Sequence, residues 1–181
     1  MPDSDRELAQ RIQGGEQDAF AELIRLHQNA VFNVAYRFLG NIHDAEDAAQ
    51  ETFIRAWKFF DQFDRERTLA PWLKRICVNV CLNKLETNRP LLPLDEDLPA
   101  PRDPSPSPES VTAQRDLQRR LRAELTSLPP RYRAVIELRH YQELSYEEIA
   151  ETLRRPLSDV KSDLFRARKL LADRLKDLRH P

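Results

Sequence analysis

The sequence predicts an all-α protein of two small helical domains, a four-helix domain and a helix-turn-helix domain, joined by a proline-rich linker. Three observations carry this prediction. Apolar residues recur at spacings of three and four along most of the chain, and no stretch alternates as a strand would. Seven of the 13 prolines fall in one segment, "NRPLLPLDEDLPAPRDPSPSPESV" (88–111). The charge is also uneven. Residues 1–90 carry 12 Lys+Arg against 14 Asp+Glu, residues 91–112 carry 1 against 5, and residues 113–181 carry 16 against 11.

The N-terminal half reads as four helices. "SDRELAQRIQ" forms a short one, ended by Gly14 and Gly15. Phe20, Leu23, Ile24, His27, Val31, Val34, Ala35 and Phe38 then trace one face of a longer helix, which Gly40-Asn41 stops. A third helix is expected from near Asp44, with Ala45, Ala49, Phe53, Ala56 and Phe60 on one side. Its acidic start, Asp44, Glu46 and Asp47, suits the positive end of the helix dipole. Past the polar run "DQFDRERT", Pro71 fits the first turn of a fourth helix whose stripe is Leu73, Ile76, Cys77 and Val80. Short joins between four such helices predict a compact bundle over residues 1–89.

Proline lacks a backbone donor and disfavours helix in the residue before it, so residues 90–110 are expected to be an extended, flexible linker. A second domain is expected over 111–181. Leu117, Leu121 and Leu125 lie in helical register, and Pro129-Pro130 ends that helix and starts another through Val135, Ile136 and Leu138. "SYEEIAETL" begins with a capping box, Ser145 and Glu148. The short turn "RRPLS" then leads into "LSDVKSDLFRARKLL", where Ser158 is the expected cap. The stripe of this last helix is Val160, Leu164 and Ala167, continuing through Leu171, Leu175 and Leu178.

Composition narrows the function classes. At 33% charged residues and a mean hydropathy of -0.67, with no window near the roughly 20 apolar residues of a membrane span, direct membrane insertion is not expected. The polar, acidic start "MPDSDRELAQ" does not read as a signal peptide. Two cysteines, Cys77 and Cys81, cannot make a disulfide scaffold, and a reducing cytoplasm is the expected compartment. They sit one helical turn apart, yet no further ligand with suitable spacing accompanies them, so neither metal nor cofactor is expected. No nucleophile–base pair or phosphate-cradling glycine loop is visible, and an enzyme is not expected.

The basic surplus in the last third points to a polyanionic partner. Helix, tight turn and a second helix is the geometry that sets a reading helix in the DNA major groove. With Val160 facing inward, steps of about 100° turn Ser162, Phe165, Arg166 and Lys169 outward. Asp159 and Asp163 flank that face. Asp159 favours the helix dipole, and Asp163 is expected to pair with Arg166 at i+3. In the first half, Asp47, Gln50 and Glu51 lie at i, i+3 and i+4 opposite the apolar stripe, a polar face able to meet a basic helical partner.

"DAEDAAQETFIRAW", "PWLKRICVNVCLNKL", "LPPRYRAVIELRHYQELSYEEIAETL" and "VKSDLFRARKLL" together resemble bacterial sigma factors of the extracytoplasmic-function (ECF) type. The resemblance covers both halves, their order and the variable linker. It implies two helical domains, regions 2 and 4, that bind core RNA polymerase and recognise the promoter −10 and −35 elements. On this resemblance Asp47, Gln50 and Glu51 match the part that docks on the β′ clamp helices, and region 4 meets the β flap. Phe63, Asp64, Arg65 and Arg67 fall in the loop "FDRERT", which matches the segment that captures a base flipped from the −10 strand. A flipped base needs a shaped pocket with cationic and aromatic partners. Arg75, Asn79, Asn83 and Lys84 recur on the following helix toward the −10 DNA, with Trp72 as core support. Lys161, Ser162, Phe165, Arg166 and Lys169 match the −35-reading helix. An anti-sigma factor is the implied regulator. The sequence departs from the family pattern at Arg154 and Ser158, where glycine is common, and at Asp163, commonly basic. Arg154 sits where positive φ is favoured, at a strain of about 1 kcal/mol. The competing readings are a stand-alone helix-turn-helix regulator and a sigma-like interaction protein with weakened DNA binding.

Overall fold

A computed structural model of the chain describes residues 3–87 and 113–176. The predicted linker, both of its boundaries and Leu178 lie outside them. Eight helices account for nearly all described residues, and no strand occurs among them. They are α1 (Asp3–Gln13), α2 (Gln17–Leu39), α3 (Ile42–Phe59), α4 (Leu69–Thr87), α5 (Ala113–Thr126), α6 (Pro130–Ile136), α7 (Tyr146–Leu153) and α8 (Leu157–Arg174). A 3-10 turn at Phe60–Gln62 follows α3, and a π-helical turn at Glu137–Tyr141 follows α6.

The helix ends follow from local chemistry. Gly40 terminates α2 at φ 84°, a left-handed conformation open to glycine, and donates its N–H to the Tyr36 carbonyl at 2.9 Å. Asn41 then accepts the Asp44 N–H at 2.8 Å, which starts α3 at Ile42, two residues before the predicted point. The capping box before α7 has both halves, Ser145 N–H to Glu148 at 2.8 Å and Glu148 N–H to Ser145 Oγ at 3.1 Å. That backbone donor, aided by the nearby Arg75 charge, holds the Glu148 carboxyl below the usual carboxylate range. Arg154 closes α7 at φ 51°, the left-handed position the sequence predicts. Ser158 does not cap α8. The helix begins at Leu157 behind Pro156, whose fixed φ already sets the first turn, and Ser158 lies inside that turn.

In the first module α2 packs against both α3 and α4. Leu23, Val31, Val34 and Phe38 of α2 meet Ala45, Ala48 and Ala56 of α3 and Leu73, Val78 and Val80 of α4, all fully buried. The alanines on α3 let α2 approach closely, and each large side chain so buried stabilises by roughly 1.5–3 kcal/mol. Cys77 and Cys81 are buried among them. A hydrogen bond that the Cys81 thiol donates to Cys77, together with burial, pushes the Cys81 thiol up, so it stays protonated and behaves as a small apolar group. In the second module Leu128, Leu138, Ile149, Val160, Leu164 and Ala167 form the centre.

The core continues between the modules. From α6, the buried Arg133 donates to the Phe38 carbonyl of α2 and to the Thr126 and Leu128 carbonyls behind α5. Burial pushes its guanidinium down to about 10, so it remains charged at neutral pH. One turn on, Glu137 receives both arms of Arg37, at 3.1 and 2.7 Å.

Candidate nucleic-acid interface

The outward face of α8 is the plainest candidate. Lys161, Ser162, Phe165, Arg166 and Lys169 are all exposed, and Phe165 at 70% is the most exposed large apolar side chain described. Val160, Leu164 and Ala167 point the other way into the core. Neither Lys161 nor Arg166 is held by an ion pair within the described residues, so both charges are available to a polyanion.

Asp163 is not part of this face, and its predicted pairing with Arg166 does not form. Its carboxylate is turned inward, and Oδ2 accepts Arg155 Nη1 at 2.6 Å. Arg155 reaches it from the turn before α8, with Asp159 3.7 Å from its other arm. The i+3 geometry was open to Arg166, but α8 rotates so that position 163 faces α7 and the turn. A carboxylate there must take whichever cation is already inside, which is Arg155. The outward face of α8 therefore carries no negative charge from position 163.

The loop 63–68 sits on an aromatic floor. Phe63 is buried, with its ring centroid 5.5 Å from that of Phe60 and 4.8 Å from that of Trp72. Phe63 thus supports the loop from below, as Trp72 was expected to do, and does not face solvent as a partner for a base. Asp64, Arg65, Glu66 and Arg67 are exposed above it. Asp64 accepts the Glu66 N–H at 3.0 Å and lies 3.6 Å from Arg67, which shapes the turn. The loop is gripped from outside by α1. Gln13 donates to the carbonyls of Phe60 at 3.3 Å and Phe63 at 3.1 Å, and accepts from Arg65 Nε. Asp5 accepts the Leu69 N–H at 3.2 Å, and Arg6 pairs with Glu66. Sequence reasoning missed these three anchors, because nothing in "SDRELAQRIQGG" marks which polar side chains fold back on a loop fifty residues away.

Asp47 and Gln50 are exposed and Glu51 is half-buried on α3, as the i, i+3, i+4 spacing predicts. They line an open groove of about 480 Å³ with Ile54 and Arg55 of α3 and Val80, Asn83, Lys84 and Thr87 of α4. Lys84 Nζ lies 3.4 Å from Asp47, and Arg55 donates to Glu51 at 2.7 Å. The structure thus brings Asn83 and Lys84 together with the acidic stripe, not with the other two residues predicted beside them. Arg75 and Asn79 occupy the stretch of α4 that meets α7. Arg75 lies 3.4 Å from Glu148, and Asn79 donates to the Thr152 carbonyl at 3.4 Å.

The Sigma-70 region 2 family matches residues 23–90, and the Sigma-70, region 4 family matches residues 118–171. The ECF RNA polymerase sigma factor SigW of Bacillus subtilis is 34% identical over 177 residues, covering 93% of this chain and 95% of its own. The chain belongs to the ECF RNA polymerase sigma factors.

It is a promoter-recognising transcription initiation factor, as the two matched regions and their relatives establish. The ECF RNA polymerase sigma-E factor of Escherichia coli is 32% identical, covering 97% of this chain and 96% of its own. Among solved structures, CnrH in complex with the cytosolic domain of CnrY has a TM-score of 0.65 at 29% identity, covering 96% of this sigma factor and 97% of CnrH. RpoE of Bartonella quintana in complex with the anti-sigma factor NepR gives 0.64 at 26%, covering 87% and 96%. The region 2 match begins at residue 23, so α1 and its grip on loop 63–68 lie outside it. Among the described residues, no helix is long and apolar enough to cross a membrane, and no group of three or more His, Cys, Asp or Glu is placed to hold a metal ion.

Proposed function

We propose a division of labour across the two modules, taken as 1–89 for region 2, 90–110 for the linker and 111–181 for region 4. The α3–α4 groove, with Asp47, Gln50 and Glu51 on its rim, docks on the clamp helices of the polymerase β′ subunit. The loop of Asp64, Arg65 and Arg67, floored by Phe63, receives a base displaced from the −10 strand, and Arg75 and Asn79 contact the strand beside it. Asn83 and Lys84 stand where the two surfaces join. Region 4 meets the β flap and lays α8 in the −35 major groove, with Lys161, Arg166 and Lys169 toward phosphates or base edges and Ser162 and Phe165 between them.

One observation carries this reading: α8 exposes a continuous basic and polar face while its one interior carboxylate, Asp163, is neutralised from within by Arg155. The sigma factor contributes recognition, and the polymerase performs the phosphodiester chemistry in the cytoplasm. Each module alone holds DNA weakly, and tethering both to one polymerase makes the second contact effectively intramolecular. An anti-sigma factor is the proposed regulator, because the RpoE relative was solved bound to one. Run-off transcription with bacterial core polymerase tests the whole proposal. Promoter-specific transcripts appear only when this chain is added, and alanines at Asp47, Gln50 and Glu51 abolish them without changing duplex binding. A genomic promoter library that yields no specific transcript overturns it.

A further inference from the structure

We propose that α1 is a splint for loop 63–68: Gln13 and Asp5 are positioning residues that fix the loop's backbone from outside, so that Asp64, Arg65 and Arg67 meet a displaced base already arranged. The proposal rests on the reading of this loop as the base-receiving segment of region 2, and deepens it.

The loop has little of its own to fix its shape. Its internal hydrogen bonds are those of one turn, Glu66 N–H to Asp64 at 3.0 Å and Arg67 N–H to the Asp64 carbonyl at 2.9 Å. Residues 64–67 are all exposed. Below them the Phe63 ring rests on Trp72, a contact that holds one side chain and leaves the backbone beyond it unoriented. A pocket for one base must hold its shape to about 0.5 Å, and a bare loop is less precise than a helix. α1 supplies the constraint. Leu8, Ala9 and Ile12 sink one face of it into the core, and Arg11 ties its last turn to Glu16 at 2.7 Å and Glu22 at 2.9 Å. Gln13 therefore reaches out from a fixed point.

That side chain is matched to the loop at every polar atom. Nε2 carries two protons, and both go to carbonyls at the loop's entry, Phe60 at 3.3 Å and Phe63 at 3.1 Å. Oε1 accepts Arg65 Nε. The partners also fix the amide's orientation, since turned over it would set oxygen against two carbonyls and a donor against a donor. Glutamate has no proton for the carbonyls, and asparagine falls about 1.5 Å short. Held by Nε alone among the described residues, Arg65 keeps both terminal nitrogens for a phosphate or a base edge. Asp5 grips the other end. Leu69 opens α4, and its N–H is one of the four that a helix leaves without an internal acceptor. Asp5 supplies the acceptor at 3.2 Å, and its charge suits the positive end of the α4 dipole. The Arg6–Glu66 pair, 50% and 72% exposed, adds little.

The test uses the full chain assembled with bacterial core polymerase. That complex selects a fluorescent single-stranded oligonucleotide from a pool randomised at six positions, and each position is then made abasic in turn. The position whose loss costs wild type most, about ten-fold or more for a stacked base, marks the captured base. Gln13→Leu should lower affinity for the selected oligonucleotide about ten-fold, the effect of losing two ordinary hydrogen bonds, and leave affinity for its abasic form unchanged. Gln13→Glu keeps an acceptor for Arg65 but cannot donate to the carbonyls, and should behave like Gln13→Leu. Asp5→Ala should lower the same ratio about three-fold, and Asp5→Asn, which keeps an accepting oxygen, should restore it. A merely structural α1 would weaken both oligonucleotides alike, and that result overturns the proposal. So does wild-type discrimination in Gln13→Leu or in Gln13→Glu. Thermal melts establish that each variant is folded, and if Asp5→Ala is not, the two Gln13 variants decide. A wild-type complex that selects no sequence, or tolerates an abasic sugar at every position, refutes the base-receiving role of the loop itself, and the splint with it.

Discussion

Removing the Asp163 carboxylate should weaken the fold of region 4 without strengthening its hold on DNA. The side chain is 6% exposed and accepts Arg155 at 2.6 Å, so Asp163→Ala deletes a charge-assisted hydrogen bond worth about 1.5–3 kcal/mol. Stranding a fully buried cation would cost about 3–5 kcal/mol. Arg155, however, keeps 30% exposure and has Asp159 at 3.7 Å, so solvent and the second carboxylate compensate in part. The expected loss is about 2 kcal/mol, which for a chain of this length lowers Tm by about 4–8 °C. Asp159→Ala serves as the comparison: that carboxylate is half exposed, and its loss should cost less than about 0.5 kcal/mol. Thermal melts by circular dichroism measure both. Titration of −35 duplex at 20 °C, well below either melt, should give Asp163→Ala the wild-type salt slope, because position 163 is not on the reading face. Asp163→Arg should do worse still, since it sets a second cation against Arg155 in a nearly buried site. From the sequence, with Asp163 beside the outer face, that change would instead tighten non-specific DNA binding. An unaltered Tm together with a steeper salt dependence would refute the inward assignment.

Three further outcomes follow from the geometry. Arg166→Ala should weaken −35 duplex binding and reduce the salt slope by about 1, as expected for one lost phosphate contact, and an unchanged slope would show that α8 presents another face. Gln13→Ala removes the donor to the Phe60 and Phe63 carbonyls; it should reduce affinity for single-stranded −10 DNA while leaving −35 duplex binding alone, and equal loss in both assays would refute a local role. Burial lowers the His27 pKa below its ordinary 6.5, so the unfolded chain takes up the proton first as pH falls. The stability it contributes is whole above pH 6.5 and is lost as pH drops toward the lowered value. Melts at pH 7.5 and 5.5 should therefore differ less for His27→Gln than for wild type. A residual difference is expected from His140, which burial and then Arg168 and Arg139 shift the same way.

What could be read without coordinates was whatever repeats or acts locally. The α2 stripe from Phe20 to Phe38, the Gly40 stop, the Ser145–Glu148 box and the positive φ at Arg154 each depend on neighbours within about one helical turn, and all four are present. The outward set on α8 and the acidic stripe on α3 were legible for the same reason, since a period of 3.6 fixes which residues share a face. Periodicity says nothing of which distant group completes a buried charge. Asp163 had two arginines within reach along the chain, and only the packing of α7 against α8 selected Arg155. Phe63 looked like a loop aromatic until α4 brought Trp72 beneath it.

The sequence by itself determined the helices, their order, the two promoter-facing modules and the family, because local propensity and motif spacing are properties of contiguous residues. Only the tertiary structure decided that Gln13 holds the loop of region 2, that Asp163 faces inward, and that Arg37 and Glu137, a hundred residues apart, join one module to the other. The physical reason is that a charge or amide leaving water must be satisfied wherever it comes to rest, and that place is set by the packing of whole helices.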